Sequence, residues 1–168
     1  MPAVLWVLRV VTAGMLAVDA YTHVDQAFRY EPNRDNGLSQ GDLFRIEAGA
    51  ASFAALAVLV LVGRTAWALV GWALAIIVAA SALGAVMIYT HYDIGALGPL
   101  PNMYEPFWFA EKTRAAVAEG IATGTGTLGF LITAWSAWAS RRTKRATLPE
   151  PLARRRDPPL RARIRHDT

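Results

Sequence analysis

Residues 66–89, AWALVGWALAIIVAASALGAVMIY, decide the fold of this 168-residue chain. The stretch carries no charged residue, and about twenty consecutive apolar residues are enough for a helix to cross the hydrocarbon core of a bilayer. Three further apolar segments accompany it, at residues 4–28, 43–62 and 107–138. Together they predict an all-α, integral membrane four-helix bundle that occupies residues 1–140 and lies in a lipid bilayer.

The basic residues are concentrated at the carboxyl end. Ten of the 17 Lys and Arg residues follow residue 140, whereas residues 1–140 contain seven basic and ten acidic side chains. Residues 141–168 also contain four prolines and no apolar periodicity, so they cannot bury enough apolar surface to offset the entropy of ordering. We predict a disordered basic tail. By the positive-inside rule this tail is cytoplasmic, which predicts a multi-pass protein of the plasma membrane with both termini in the cytoplasm.

Composition also limits the partners and cofactors. We expect the tail to bind anionic lipid, at about 1 kcal/mol per basic residue near the surface. Nucleic acid is disfavoured, because no aromatic residues alternate with the basic ones. The chain has no cysteine, which excludes disulfides, covalently attached haem and cysteine-ligated metal.

The tryptophans and tyrosines separate between the two ends of the predicted bundle. Membrane helices carry these residues at both interfaces with water. The predicted outer set comprises Tyr21, Tyr30, Tyr89, Tyr92, Tyr104 and Trp108, and the predicted inner set comprises Trp6, Trp67, Trp72, Trp135 and Trp138. This distribution predicts the same topology as the basic tail does.

Ionisable residues from three of the predicted helices fall at one depth. With a helix rise of about 1.5 Å per residue, they lie in the outer half of the bundle. A lone charge inside the membrane costs at least about 2.5–3.5 kcal/mol, so we expect these side chains to face the bundle interior and one another. The predicted polar cluster consists of Asp19, His23, Glu47, Glu119, Arg45 and Arg114.

The polar cluster has several chemical interpretations. The arginines can neutralise the carboxylates in a closed ion-pair network that only fixes the helix register. Alternatively, His23, Glu119, Asp19 and Glu47 form a metal site, and such a set of nitrogen and oxygen ligands suits zinc, manganese or iron. A third interpretation is a proton relay or a quinone-linked redox site. No residue is assigned a catalytic role.

The predicted outer loop, residues 90–106, leads into an aromatic sequence. Met103, Tyr104, Glu105 and Trp108 predict either an anchor at the membrane interface, a lid over the polar cluster, or a surface that binds a partner. The segment 98–112, GPLPNMYEPFWFAEK, contains the pattern Pro-x-x-Tyr-Glu-Pro-x-Trp. With Glu119 seven residues later, it resembles an uncharacterised family of small four-helix actinobacterial membrane proteins.

The helix number and size are also similar to those of DoxX-like membrane proteins, some of which are linked to quinone-dependent redox chemistry. Neither resemblance implies a catalytic residue, and a shared fold does not transfer a function.

Three classes of function follow from these observations. We favour a non-enzymatic accessory component of a membrane assembly that binds a partner protein or a second copy of itself. The alternative is a metal-binding or quinone-linked redox protein that uses His23 and Glu119. The third is a small transporter subunit, although the chain shows no inverted repeat and no pair of Gly- or Pro-broken helices.

Overall fold

A computed structural model describes residues 3–35 and 37–147 of the chain. It contains four long helices, each with a segment long and apolar enough to cross a membrane. They are α1 (Ala3–Ala27), α2 (Gln40–Val60), α3 (Thr65–His91) and α4 (Ala110–Thr147). The predicted all-α four-helix bundle is therefore confirmed.

The helices run alternately up and down and form a square. Each of α1 and α3 packs against both α2 and α4, whereas α2 and α4 lie on a diagonal and do not touch in the described part of the chain. We call the end at which α1 and α3 finish the loop end, because the connections 28–39 and 92–109 lie there. The opposite end, with the short connection 61–64, is the hairpin end.

Small side chains allow the helices to approach closely. Ala51, Ala54, Ala75 and Ala122 are completely buried in the core. In lipid the hydrophobic effect does not drive helices together, so close packing of small residues supplies much of the association energy. Gly71 of α3 lies against the Ala57 carbonyl of α2, where an added Cβ would come within 2.9 Å of the oxygen. The α2–α3 interface is therefore tight at the hairpin end.

Trp72 is part of this core rather than of an aromatic belt. It is 0% exposed, and its Nε1 donates a hydrogen bond of 3.2 Å to the hydroxyl of Thr133. The guanidinium of Arg9 lies 4.8 Å from the Trp72 ring and donates to the carbonyl of Val58. The prediction that Trp72 marks the inner interface was therefore wrong, because its indole N–H has a buried partner that the sequence pattern does not reveal.

The helix boundaries differ most from the predicted ones in α2 and α4. Helix α2 begins earlier, at Gln40, because Ser39 and Asp42 form a reciprocal capping box. Helix α4 begins later than predicted and continues to Thr147, seven residues into the predicted tail. The Arg142 guanidinium over the Trp138 ring, at 3.8 Å, supports this last part of α4. The rest of the predicted disordered tail, residues 148–168, lies outside the described residues.

Candidate metal centre and adjoining cavity

Three ionisable side chains meet inside the bundle, between α1 and α4. Asp19 and His23 stand one turn apart on α1, and Glu119 faces them from α4. One ligand atom from each residue can be chosen so that all lie within 4.8 Å of one another. Asp19 and Glu119 are 0% exposed, and the His23 side chain is 11% exposed. We call these three residues the metal group.

The orientation of the His23 ring is set by its neighbours. Its Nδ1 lies 2.8 Å from Asp19 Oδ1 and 3.1 Å from the Asp19 backbone oxygen. The Phe44 ring of α2 packs edge-on against the imidazole, with the ring centroids 5.2 Å apart. A ligand histidine is normally held in this way, by a hydrogen bond at one nitrogen and by packing around the ring.

The carboxylates of the metal group have no hydrogen-bond donor in the described part of the chain. Both oxygens of Asp19 and both oxygens of Glu119 are buried without a hydrogen bond. Asp19 Oδ1 also lies 2.8 Å from His23 Nδ1, and the two form an ion pair when the imidazole is protonated. Buried polar groups are almost always hydrogen-bonded, and buried charges are paired or coordinate metal. These oxygens therefore require a proton or a cation.

Glu47 of α2 lies beside the metal group but is not one of its closest members. Its carboxylate interacts electrostatically with Asp19 and His23, and one of its oxygens is buried without a hydrogen bond. Thr123, one turn after Glu119 on α4, also has a buried hydroxyl without a partner in the described residues. Glu47 and Thr123 extend the set of oxygen atoms available near the metal group.

Both arginines of the predicted polar cluster lie elsewhere. Arg45 is exposed at the loop end and pairs with Glu31, at 2.6 Å, and with Asp42, at 3.1 Å. Arg114 is exposed on the surface of α4. The prediction that these two arginines belong to the polar cluster was therefore wrong. The acidic partners of Arg45 lie at the loop end, and Arg114 faces away from the bundle interior. In the described residues, no Lys or Arg forms an ion pair with the metal group or Glu47.

A cavity of about 320 Å³ adjoins the metal group at the loop end. All four helices line it, together with residues of the 92–109 loop. His23 and Glu47 are among the lining residues, so the metal group forms part of the cavity wall. Most of the remaining wall is apolar, and it includes Phe44, Val86 and Phe109.

Hydrogen bonds hold the 92–109 loop against this cavity. The Glu105 backbone N–H donates to the Tyr89 carbonyl at 3.0 Å, and the Lys112 ammonium donates to the Glu105 carbonyl. The backbone N–H of Asn102 donates to the Asp35 carboxylate at 2.7 Å. Of the predicted lid residues, Met103 and Glu105 line the cavity. Tyr104 and Trp108 are exposed, at 40% and 47%.

Of two further residues at the loop end, Tyr30 lines the cavity and His91 does not. Tyr30, which the sequence analysis did not assign to the site, lines the cavity with its ring 5.1 Å from that of Phe44. Burial raises the pKa of its hydroxyl, and Glu105 and Glu111 raise it further, so Tyr30 is a neutral hydrogen-bond donor near neutral pH. His91 is exposed, and its Nδ1 contacts the Met87 carbonyl of its own helix.

Comparisons with models of protein families, with curated proteins and with solved structures gave no match. The chemistry of the metal group and its cavity is therefore the basis for assigning a function.

Proposed function

We propose that this protein is a membrane-embedded metal-binding protein, in which Asp19, His23 and Glu119 ligate a divalent cation. One observation carries the proposal. Two fully buried carboxylates without hydrogen bonds converge with one imidazole, and their ligand atoms lie within 4.8 Å of one another. Glu47 of α2 is outside this group and acts on Asp19 and His23 through its charge.

Electrostatics support a cation at this position. Two neighbouring carboxylates in a buried site do not both ionise unless a cation lies between them; without a cation they share a proton. With Arg45 and Arg114 exposed elsewhere, His23 is the single side chain beside these carboxylates in the described residues that can carry a positive charge, and one imidazolium cannot neutralise both of them. This placement favours the metal site over the structural ion-pair network, and with it over the accessory component that the sequence favoured.

The ligand types narrow the choice of metal. One imidazole with two or three carboxylates suits zinc, manganese or iron, and the absence of thiolates disfavours copper(I). Three protein ligands leave at least one coordination position for another molecule, which is typical of catalytic rather than structural zinc sites. The cavity beside His23 and Glu47 provides space for such a molecule.

The proposal includes an orientation in the plasma membrane. The basic residues that follow position 140 support a cytoplasmic hairpin end. The metal group and its cavity then lie in the half of the bundle nearest the outer surface. Trp6, Trp67, Trp135 and Trp138 are all exposed toward the hairpin end, which supports an interfacial belt there.

Metal content is the direct test. The protein is purified in lipid nanodiscs, incubated with zinc, manganese(II) or iron(II), passed through a desalting column and examined by elemental analysis. We expect about one metal ion per chain for the wild type, and loss of the metal in Asp19→Asn, His23→Ala and Glu119→Gln. Glu31→Gln is the matched control, since Glu31 is an acidic residue paired with Arg45 outside the metal group. Failure of the folded wild type to retain any of these metals would overturn the proposal.

A further inference from the structure

We infer that the cavity beside the metal group binds a neutral, membrane-soluble amphiphile whose polar oxygen lies next to the metal. The metal contact in this inference rests on the proposed function, whereas the binding of the amphiphile rests on the cavity itself. The argument uses the size of the cavity, its position along the helices and the charges of its lining.

The size and the walls of the cavity suit a small lipophilic molecule. Its volume of about 320 Å³ lies at the lower end of the range for ligand pockets, about 300–1,000 Å³. Leu43, Phe44, Val86, Met103 and Phe109 supply apolar surface on several sides. An apolar chain or ring of a ligand would be in contact with these side chains.

The cavity meets the surface within the length of the helices. Among its lining residues, Ile46 of α2 and Ala85 of α3 are exposed, and the others are buried or half-buried. Ile46 lies about 9 Å from the start of α2, and Ala85 about 9 Å from the end of α3. The opening therefore faces the lipid between α2 and α3, whose tight contact at Gly71 lies toward the hairpin end. A molecule enters here from the bilayer rather than from water.

The charges of the lining select a neutral molecule. Glu47, Glu105 and Glu111 are the acidic lining residues. Lys112, which is the one Lys or Arg among the lining residues, already donates to the carbonyls of Glu105 and Phe107. These acidic residues would repel a carboxylate or phosphate, and a metal held by the metal group would repel a positively charged head group.

Three neutral polar side chains are available to an uncharged head group. Gln26, Gln40 and Tyr30 line the cavity. Gln26 donates one hydrogen bond to Asp25 and Gln40 accepts one from Asn33, and their remaining amide groups and the Tyr30 hydroxyl can bond a hydroxyl or carbonyl oxygen. His23 belongs both to the cavity wall and to the metal group. Gln26 lies about one turn after His23 on α1, so an oxygen held by the Gln26 amide lies beside the part of the wall that belongs to the metal group, where it can complete the coordination.

The test uses three probes of equal chain length and different charge. Cobalt(II) replaces the native metal in nanodisc-embedded protein, and radiolabelled decanol, decanoate or decyltrimethylammonium is added. Visible absorption of cobalt reports a change in its coordination, and retained radioactivity reports binding independently of the metal. We expect saturable binding of decanol with a change in the cobalt spectrum, and binding of decanoate weaker by about tenfold or more.

A pair of variants tests the opening. Ala85→Trp fills the gap between α2 and α3 and is expected to weaken decanol binding by about tenfold or more. Ala80→Trp, on the exposed surface of the same helix but outside the cavity lining, is the control and is expected to bind normally. Both variants should retain cobalt, which shows that the bundle is folded.

The possible results separate failure of the inference from failure of the proposed function. Tighter binding of decanoate or decyltrimethylammonium than of decanol would overturn the neutral ligand class. Binding of decanol without a change in the cobalt spectrum would overturn its position next to the metal. Cobalt retention without decanol binding would overturn the inference and leave the proposed metal site intact. Folded protein that binds decanol but no cobalt would instead overturn the proposed function.

Discussion

The metal group predicts that Glu119→Gln changes stability in opposite directions with and without metal. In metal-free protein the carboxylates of Asp19 and Glu119 would repel each other if both were ionised. With ligand atoms within 4.8 Å of one another, this repulsion is about 3.5 kcal/mol at an effective dielectric constant of about 20. The value is an upper bound, because uptake of a proton by one carboxyl relieves it.

Glu119→Gln removes this repulsion but places an uncharged amide in the buried site. A buried glutamine amide without a partner costs about 1–3 kcal/mol, so the net stabilisation of the metal-free variant is at most about 2.5 kcal/mol. Metal at about 100 times its dissociation constant stabilises the wild type by about 2.7 kcal/mol. The variant lacks one ligand and should gain little from the same concentration.

Equilibrium unfolding in mixed micelles, followed by circular dichroism, measures these differences. The free energy of unfolding is compared for wild type and Glu119→Gln in chelator and in excess metal. Glu31→Gln again serves as the control, since its effect should be the same in both conditions. A Glu119→Gln protein that is less stable than wild type in chelator, with no response of either protein to metal, would refute the argument. The metal group would then be held together by a shared proton or by another neutralising group.

Three further predictions concern the core, the orientation and the protonation of the site. Trp72→Ala should lower the free energy of unfolding by about 3–5 kcal/mol, and Thr133→Val by about 1 kcal/mol through loss of the indole hydrogen bond; equilibrium unfolding measures both. In intact cells, a membrane-impermeant maleimide should label Ala96→Cys at the loop end and not Thr65→Cys at the hairpin end, and the reverse pattern would contradict the proposed orientation. Metal retention should fall as the pH is lowered from near neutral, because protons compete for the His23 imidazole and the carboxylates; retention unchanged by acid would contradict this ligand set.

The sequence predicted the bundle well because membrane-spanning helices follow from local composition. The charge-free segment 66–89 corresponds to most of α3, and the depth argument correctly brought Asp19, His23 and Glu119 to one level. These inferences depend only on the regular rise of a helix and on the cost of charge in lipid.

The partners of individual side chains were not predictable in the same way. Arg45 lies at the depth at which it was expected, but its ion pairs are with Glu31 and Asp42. Their positions depend on the path of the 28–39 connection, which hydropathy does not specify. The sequence pattern likewise assigned Trp72 to the interface, whereas in the structure its Nε1 donates a hydrogen bond to Thr133 in the core.

The length of α4 affects how far the chain extends from the membrane. A helix of 38 residues measures about 57 Å, whereas the hydrocarbon core is about 30 Å thick. If Trp138 marks the interface, the last nine residues of α4 form a rigid spacer of about 14 Å. This distance exceeds the Debye length of about 8 Å at physiological ionic strength. Arg141 and Arg142 are therefore within electrostatic range of the lipid head groups, whereas the end of α4 at Thr147 lies beyond this range.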